Sequence, residues 1–152
     1  GTTRTAGVTV TITGPQEVLP SSVHAYTVTV TGGPATTFGG FNLKTSGGTL
    51  AAGTGTRVSG AEITHDNDGS RSWTFNWTAP ATTGTQNFWA IGLGSDGSGD
   101  EGGDDWNWYG GAVNTAFAIS VTNNVGVEGD VPTTWLAPAM PNPVVARTHV
   151  TL

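Results

Sequence analysis

Five carboxylates crowd one stretch of this chain: Asp96, Asp100, Glu101, Asp104 and Asp105. They sit among glycines in GSDGSGDEGGDDWNWYGG, residues 94–111, which runs directly into Trp106, Trp108 and Tyr109. Carboxylates are hard oxygen ligands, and glycine lets a loop wrap around an ion. Calcium accepts about six to eight oxygens at flexible spacing. A second acidic turn, Asp66-Asn67-Asp68-Gly69, offers Asp66 and Asp68. Neither stretch completes an EF-hand loop, and the distal glutamate that would close the 66–69 turn is missing. Calcium is therefore the candidate cofactor, with 94–105 the favoured place. The alternative is a solvated tip joining two strands, its acids serving only solubility. Magnesium demands stricter geometry and fits less well. A carboxylate pair could also serve a glycosidase, but that chemistry needs a fixed separation across a sugar cleft, and a glycine-rich loop is a poor scaffold for it.

The aromatics beside the acids suggest contact rather than reaction. Trp106, Trp108 and Tyr109 could stack on sugar rings or pack on a neighbouring subunit. They could equally cap the end of the fold and pin the loop. Trp73, Trp77 and Trp89 fall within strand-like patterns and are expected in the core. His24, His65 and His149 lie far apart, with no short spacing that would make a metal site. Of these, His65 beside Asp66 and Asp68 has the clearest polar setting, with a structural hydrogen bond its expected role. No G-x-S-x-G elbow and no GK[ST] phosphate loop is present. Cysteine is absent, which removes disulfides, thiolate metal sites and cysteine nucleophiles. No enzymatic activity is expected.

The net charge is −6, with only five Lys and Arg. Nucleic acid and anionic membrane surfaces both need clustered cations, so neither is an expected partner. No apolar run approaches the ~20 residues of a membrane-spanning helix. A cysteine-free, lysine-poor chain rich in Thr and Gly suggests a secreted surface protein of a bacterium or archaeon.

The elements that must position these groups read as strands. Val8, Val10 and Ile12 alternate with Thr9, Thr11 and Thr13, and Gly14-Pro15 stops the run. Tyr26, Val28 and Val30 alternate with Thr27, Thr29 and Thr31, and Trp73, Phe75 and Trp77 with Ser72, Thr74 and Asn76. Such period-2 patterns predict strands with one buried face and one polar face. Further strands are predicted at 41–43, 62–65, 86–93 and 112–122, with 94–111 as a surface loop between the last two. Residues 1–122 thus read as an all-β, antiparallel Ig-like sandwich. Residues 123–143, NNVGVEGDVPTTWLAPAMPNP, carry four prolines and no alternation, and read as an extended arm. Residues 144–152 read as a terminal strand. Val144, Ala146, Thr148, Val150 and Leu152 form one row, and Val145, Arg147, His149 and Thr151 the other.

Several stretches together resemble the bacterial choice-of-anchor V domain, a relative of the reeler-type β-sandwiches. They are VTVTITGP (8–15), YTVTVTGG (26–33), GGFNLKTSGGTL (39–50), ITHDNDGSRSWTFNWTAPATTGT (63–85) and FWAIGLGSDGSGDEGGD (88–104). The resemblance implies a secreted sandwich on the cell surface. Such domains often follow a c-type haem segment, but this chain has no cysteine, so no haem is carried over. The resemblance transfers no catalytic residue. WLAPAMPNPVVARTHVTL (135–152) resembles the opening of FlgD-like or type IX secretion sorting domains. Pro141-Asn142-Pro143 match, and Val144 stands where those domains often have Phe.

A strand on a Pro-rich arm can add to the sheet of another molecule, and a head-to-tail contact of that kind propagates. The leading expectation is a non-catalytic extracellular fibre subunit. Its partner would be another copy of itself, joined through Val144, Ala146, Thr148, Val150 and Leu152. The tail could instead fold back on its own sandwich or begin a sorting domain. The alternative function is a cell-surface carbohydrate- or matrix-binding module, with a surface polysaccharide as partner.

Overall fold

A computed structural model describes residues 3–124. The arm at 125–143 and the strand expected at 144–152 lie outside the described residues, as do the assembly residues Val144, Ala146, Thr148, Val150 and Leu152. In chain order the strands are β1 (Thr3–Arg4), β2 (Thr9–Thr13), β3 (Glu17–Val18), β4 (Val23–Thr31), β5 (Gly39–Thr45) and β6 (Thr49–Ala51). They continue with β7 (Thr56–Ser59), β8 (Glu62–His65), β9 (Ser72–Thr78), β10 (Gly84–Gly94), β11 (Asp105–Trp108) and β12 (Phe117–Val121). Among the described residues there is no helix, and hence none long and apolar enough to cross a membrane. The strands form an all-β sandwich of two sheets.

The smaller sheet runs β2-β4-β9-β6, antiparallel throughout. Its inward rows are the apolar halves of the alternating stretches: Val10 and Ile12, then Tyr26, Val28 and Val30, then Trp73, Phe75 and Trp77, all buried. Its outward rows are mostly threonine and serine, with Val23, Ala25, Ala51 and Asn76 among them. Thr27 and Thr74 share a hydroxyl hydrogen bond at 2.8 Å, and Thr29 and Ser72 one at 3.2 Å.

The larger sheet runs β1-β11-β10-β5-β8-β7, with β12 against β10 and β3 against β12. β10 is long enough to take two partners along one edge. β12 occupies its Gly84–Phe88 half and β11 its Ile91–Gly94 half, while β5 fills the opposite edge. Phe41, Leu43, Ile63, Phe88, Ala90, Phe117, Ile119 and Val121 point inward and are buried. Tyr26 meets Phe88 edge-on at 5.0 Å, and Phe88 meets Trp77 edge-on at 5.3 Å. Each such buried ring contributes about 1.5–3 kcal/mol, which makes this aromatic centre the main source of stability. The sheets pack closely at Gly92. A Cβ there would lie 2.5 Å from Val30 Cγ2 and 2.8 Å from Val10 Cγ2.

The chain start ties the sheets together. β1 lies parallel to β11, the chain crosses to β2 in the other sheet, and it returns as β3, parallel to β12.

Two expectations need correction. Residues 94–111 are not one loop, because 105–108 form β11 and the connection shrinks to 95–104. The strand expected at 112–122 begins only at Phe117. Gly110, Gly111 and Asn114 adopt positive φ (65°, 74° and 65°) and turn the chain before it.

Candidate functional site

Strand alternation places an apolar strip on the outer face of the larger sheet. On β10 the inward residues are Phe88, Ala90 and Gly92, so Trp89, Ile91 and Leu93 face out, each half-buried. Trp89 is therefore not the core residue its strand context suggested. On β11, Asn107 is buried and Trp106 and Trp108 face out, half-buried. The register sets Ile91 beside Trp108 and Leu93 beside Trp106. The two indoles stand edge-to-face, with centroids 5.7 Å apart and planes at 87°. Across β10, the strip turns polar. Asn42 lies opposite Ile91 and Lys44 opposite Trp89 on β5. Thr64 and Glu62 on β8 follow in the same rows. The Asn42 side-chain amide donates to Glu62 Oε2 at 3.0 Å.

Asn107 holds the strand that carries the two tryptophans. Its Nδ2 donates to the Val8 carbonyl at 2.8 Å. Its Oδ1 accepts from Arg4 Nε at 3.0 Å and from the Trp108 main-chain N–H at 2.9 Å. Only an amide can meet a carbonyl with one end and two donors with the other. The buried Asn107 thus links β1, β11 and the crossing into β2.

Between Trp106 and His65 the outer face has a groove of about 290 Å³, lined also by Gly40, Asn42, Thr64 and Leu93. Gly40 lies opposite Leu93, and the His65 ring lies where its side chain would stand. A Cβ there would lie 2.7 Å from His65 Cε1. His65 Nδ1 lies 3.2 Å from the Phe41 N–H and 3.1 Å from the Phe41 carbonyl. The carbonyl already accepts the Thr64 hydroxyl at 2.7 Å and a main-chain N–H can only donate, so we assign Nδ1 as the acceptor of the Phe41 N–H, which puts a ring proton on Nε2.

The predicted residues separate into groups. Trp106 and Trp108 share the outer face, but Tyr109 packs inward, its ring 6.1 Å from Phe117 and its backbone bridging Val10. The acids turn back on their own backbone. Asp96 Oδ1 accepts from the Ser98 N–H at 2.9 Å, Asp100 Oδ1 from Gly102 N–H at 2.8 Å, and Asp104 Oδ1 from Asp96 N–H at 3.0 Å. The Ser98 main-chain N–H, and then its hydroxyl, hold the Asp96 carboxyl below the ordinary carboxylate range. Glu101 is exposed in the same loop. Asp105 lies in β11, where it accepts the Thr5 hydroxyl at 2.8 Å. In the other turn, exposed Asp66 lies 3.7 Å from exposed Arg57, and the Asp68 main-chain oxygen accepts the Gly39 N–H at 2.8 Å. Among the described residues, no group of three or more His, Asp or Glu side chains is placed to hold a metal ion. The calcium expectation thus finds no assembled carboxylate set there.

Sequence reasoning missed Trp89, Leu93, Gly40 and Asn42 as site residues, and gave His65 only a structural role. The signal for the first two was the alternation in FWAIGLG, which fixes opposite faces once Phe88 is known to be inside. No family model matches the chain, and no curated protein matches it.

Proposed function

We propose that the protein is a non-catalytic, surface-displayed binding module that holds a polysaccharide chain across the outer face of the larger sheet. One observation carries this reading. The smaller sheet presents mainly threonine and serine to solvent, with Val23 at the start of β4 and no aromatic ring, whereas the larger presents Trp89, Ile91, Leu93, Trp106 and Trp108 in one strip. A contiguous, half-exposed apolar strip on a small domain is a candidate contact surface. Sugars have C–H faces that stack on indoles and hydroxyls that need polar partners. The strip supplies the first and the neighbouring Asn42, Lys44, Glu62 and Thr64 the second. Display outside the cell is supported by the composition and by the choice-of-anchor V resemblance.

The test is native electrophoresis through gels containing soluble polysaccharides. Retardation by at least one polymer is expected, with the affinity falling about tenfold for Trp108→Ala, as one lost ring stack of about 1–1.5 kcal/mol dictates. Retardation unchanged in a Trp106→Ala/Trp108→Ala double variant sinks the proposal.

Strand-linked assembly is the second reading. β6 pairs only with Asn76–Thr78, so Ser72–Phe75 of β9 have a strand partner on the β4 side alone among the described residues. A hollow of about 460 Å³ lies along this edge, lined in part by Gly53, Gly55, Trp73 and Phe75. Another copy's extended segment, 144–152 included, would add there. Electron microscopy with and without residues 141–152 decides: filaments lost on deletion support assembly, and single particles in both samples refute it.

A further inference from the structure

We infer that the groove over Gly40 is a subsite for a single neutral sugar ring, stacked on Trp106 and hydrogen-bonded by His65 Nε2. This rests on the polysaccharide reading and assigns its most selective contact.

Gly40 shapes the groove by making room for the His65 ring. Neighbouring outward positions on β5, Asn42 and Lys44, carry side chains, whereas the place a side chain at Gly40 would take is filled by the imidazole. Trp106 and Leu93 form an apolar wall on one side, suited to the C–H face of a ring. The His65 imidazole forms the other wall, over Gly40. It is held in place, because its Nδ1 is committed to the Phe41 N–H. Its Nε2–H has no protein partner among the described residues. A donor fixed in orientation and left without a partner gives direction to a ligand.

The acceptor is Asn42. Its Nδ2 is bonded to Glu62, which leaves Oδ1 free to receive a hydroxyl proton. Thr64 contributes no donor, since its hydroxyl is spent on the Phe41 carbonyl. The groove therefore offers one N–H donor and one carbonyl acceptor around an apolar wall. Sugar hydroxyls can satisfy both, since each accepts and donates.

Charge argues for a neutral ring. No Lys or Arg lines the groove, so a uronate carboxylate would find no cation there. The chain carries a net charge of −6, and the acids of 96–105 adjoin Trp106 in sequence. Both disfavour an acidic sugar.

The experiment is isothermal titration of the full chain with cellobiose, maltose, mannobiose and chitobiose, and with digalacturonate as the acidic control. Binding of at least one neutral disaccharide is expected, and digalacturonate is expected not to bind. Gly40→Ala pushes a methyl into the His65 ring and should weaken binding about tenfold, as should His65→Ala, which removes the donor. His65→Gln restores an N–H near the Nε2 position and should stay within about threefold of the parent. Thermal melting of each variant separates lost binding from lost fold.

Gly40→Ala and His65→Ala variants that bind disaccharide like the parent would overturn the subsite. If they do so while Trp108→Ala still weakens gel retardation, the polysaccharide reading survives and only the subsite falls. Binding of digalacturonate in preference to every neutral sugar overturns the neutral-ring assignment. A parent chain that neither binds any disaccharide nor is retarded by any polymer overturns both.

Discussion

Replacing Asn107 with Leu tests whether one buried amide holds the binding face in register. Leucine keeps the branched outline of asparagine with more bulk, so the change removes hydrogen bonds without opening a cavity. Three bonds are lost, to the Val8 carbonyl, Arg4 Nε and the Trp108 N–H. Val8 is only 1% exposed, so its carbonyl is left unpaired away from water, at about 1–3 kcal/mol. The Arg4 and Trp108 donors are nearer solvent, and water replaces part of what they lose, so they add about 1 kcal/mol together. The total is about 3 kcal/mol, or about 12 °C in melting temperature for a body of this size. Asn107→Asp keeps both acceptor bonds but turns an oxygen toward the Val8 carbonyl. It should destabilise as well, although Arg4 offsets part of the loss. Urea unfolding followed by tryptophan fluorescence measures both variants. Losses below about 1 kcal/mol in both would refute the claim that Asn107 joins β1, β11 and the crossing to β2.

Three further outcomes are expected. The Arg71 guanidinium donates to the carbonyls of Phe38 (2.8 Å), Gly32 (2.5 Å), Pro34 (2.7 Å) and Ser95 (3.4 Å) and to the Thr36 hydroxyl (3.2 Å), pinning two loops without a carboxylate. Arg71→Lys cannot reproduce that planar fork and should cost about 2 kcal/mol in urea unfolding, with proteolysis appearing first near 32–38 and 95. Burial pushes the Tyr26 hydroxyl up to about 12, while it ionises at 10.0 when unfolded. Its contribution is therefore intact below pH 10.0 and is lost as pH rises toward about 12, at up to about 1.4 kcal/mol per pH unit. Tyr26→Phe should flatten that slope in urea titrations across the same window. Gly92→Ala drives a methyl into Val30 and Val10 and should cost about 1–3 kcal/mol by thermal melting.

The sandwich was legible wherever one face of a strand was apolar and the other threonine. VTVTIT, YTVTVT and SWTFNWT announce both period and polarity, and the structure uses them as read. Most strands of two to four residues were not legible; β8 was the exception, read at 62–65 because the Asp66–Gly69 turn signal bounds it. β1, β3, β6 and β7 exist only because a neighbouring edge accepts them, and two to four residues carry no readable period. β11 hid behind its surroundings, since five acids and a run of glycines masked the alternation of Trp106, Asn107 and Trp108. Trp89 was misplaced because a tryptophan inside a strand suggests core, and only the burial of Phe88 and Ala90 decides its face. The aromatic pair was legible as a contact site by residue type. The groove was not, because Gly40 and His65 are separated by 25 positions and meet only through the β5–β8 pairing. Absence of a side chain leaves no mark in a sequence pattern.

Polysaccharide binding on the outer face of the larger sheet is read from the indole N–H resonances during titration with soluble neutral oligosaccharides. The signals of Trp106 and Trp108 are expected to move together, with Trp89 following, while buried Trp73 and Trp77 stay still. Stationary Trp106 and Trp108 signals with every sugar, or shifts confined to Trp73 at the β9 edge, would contradict it.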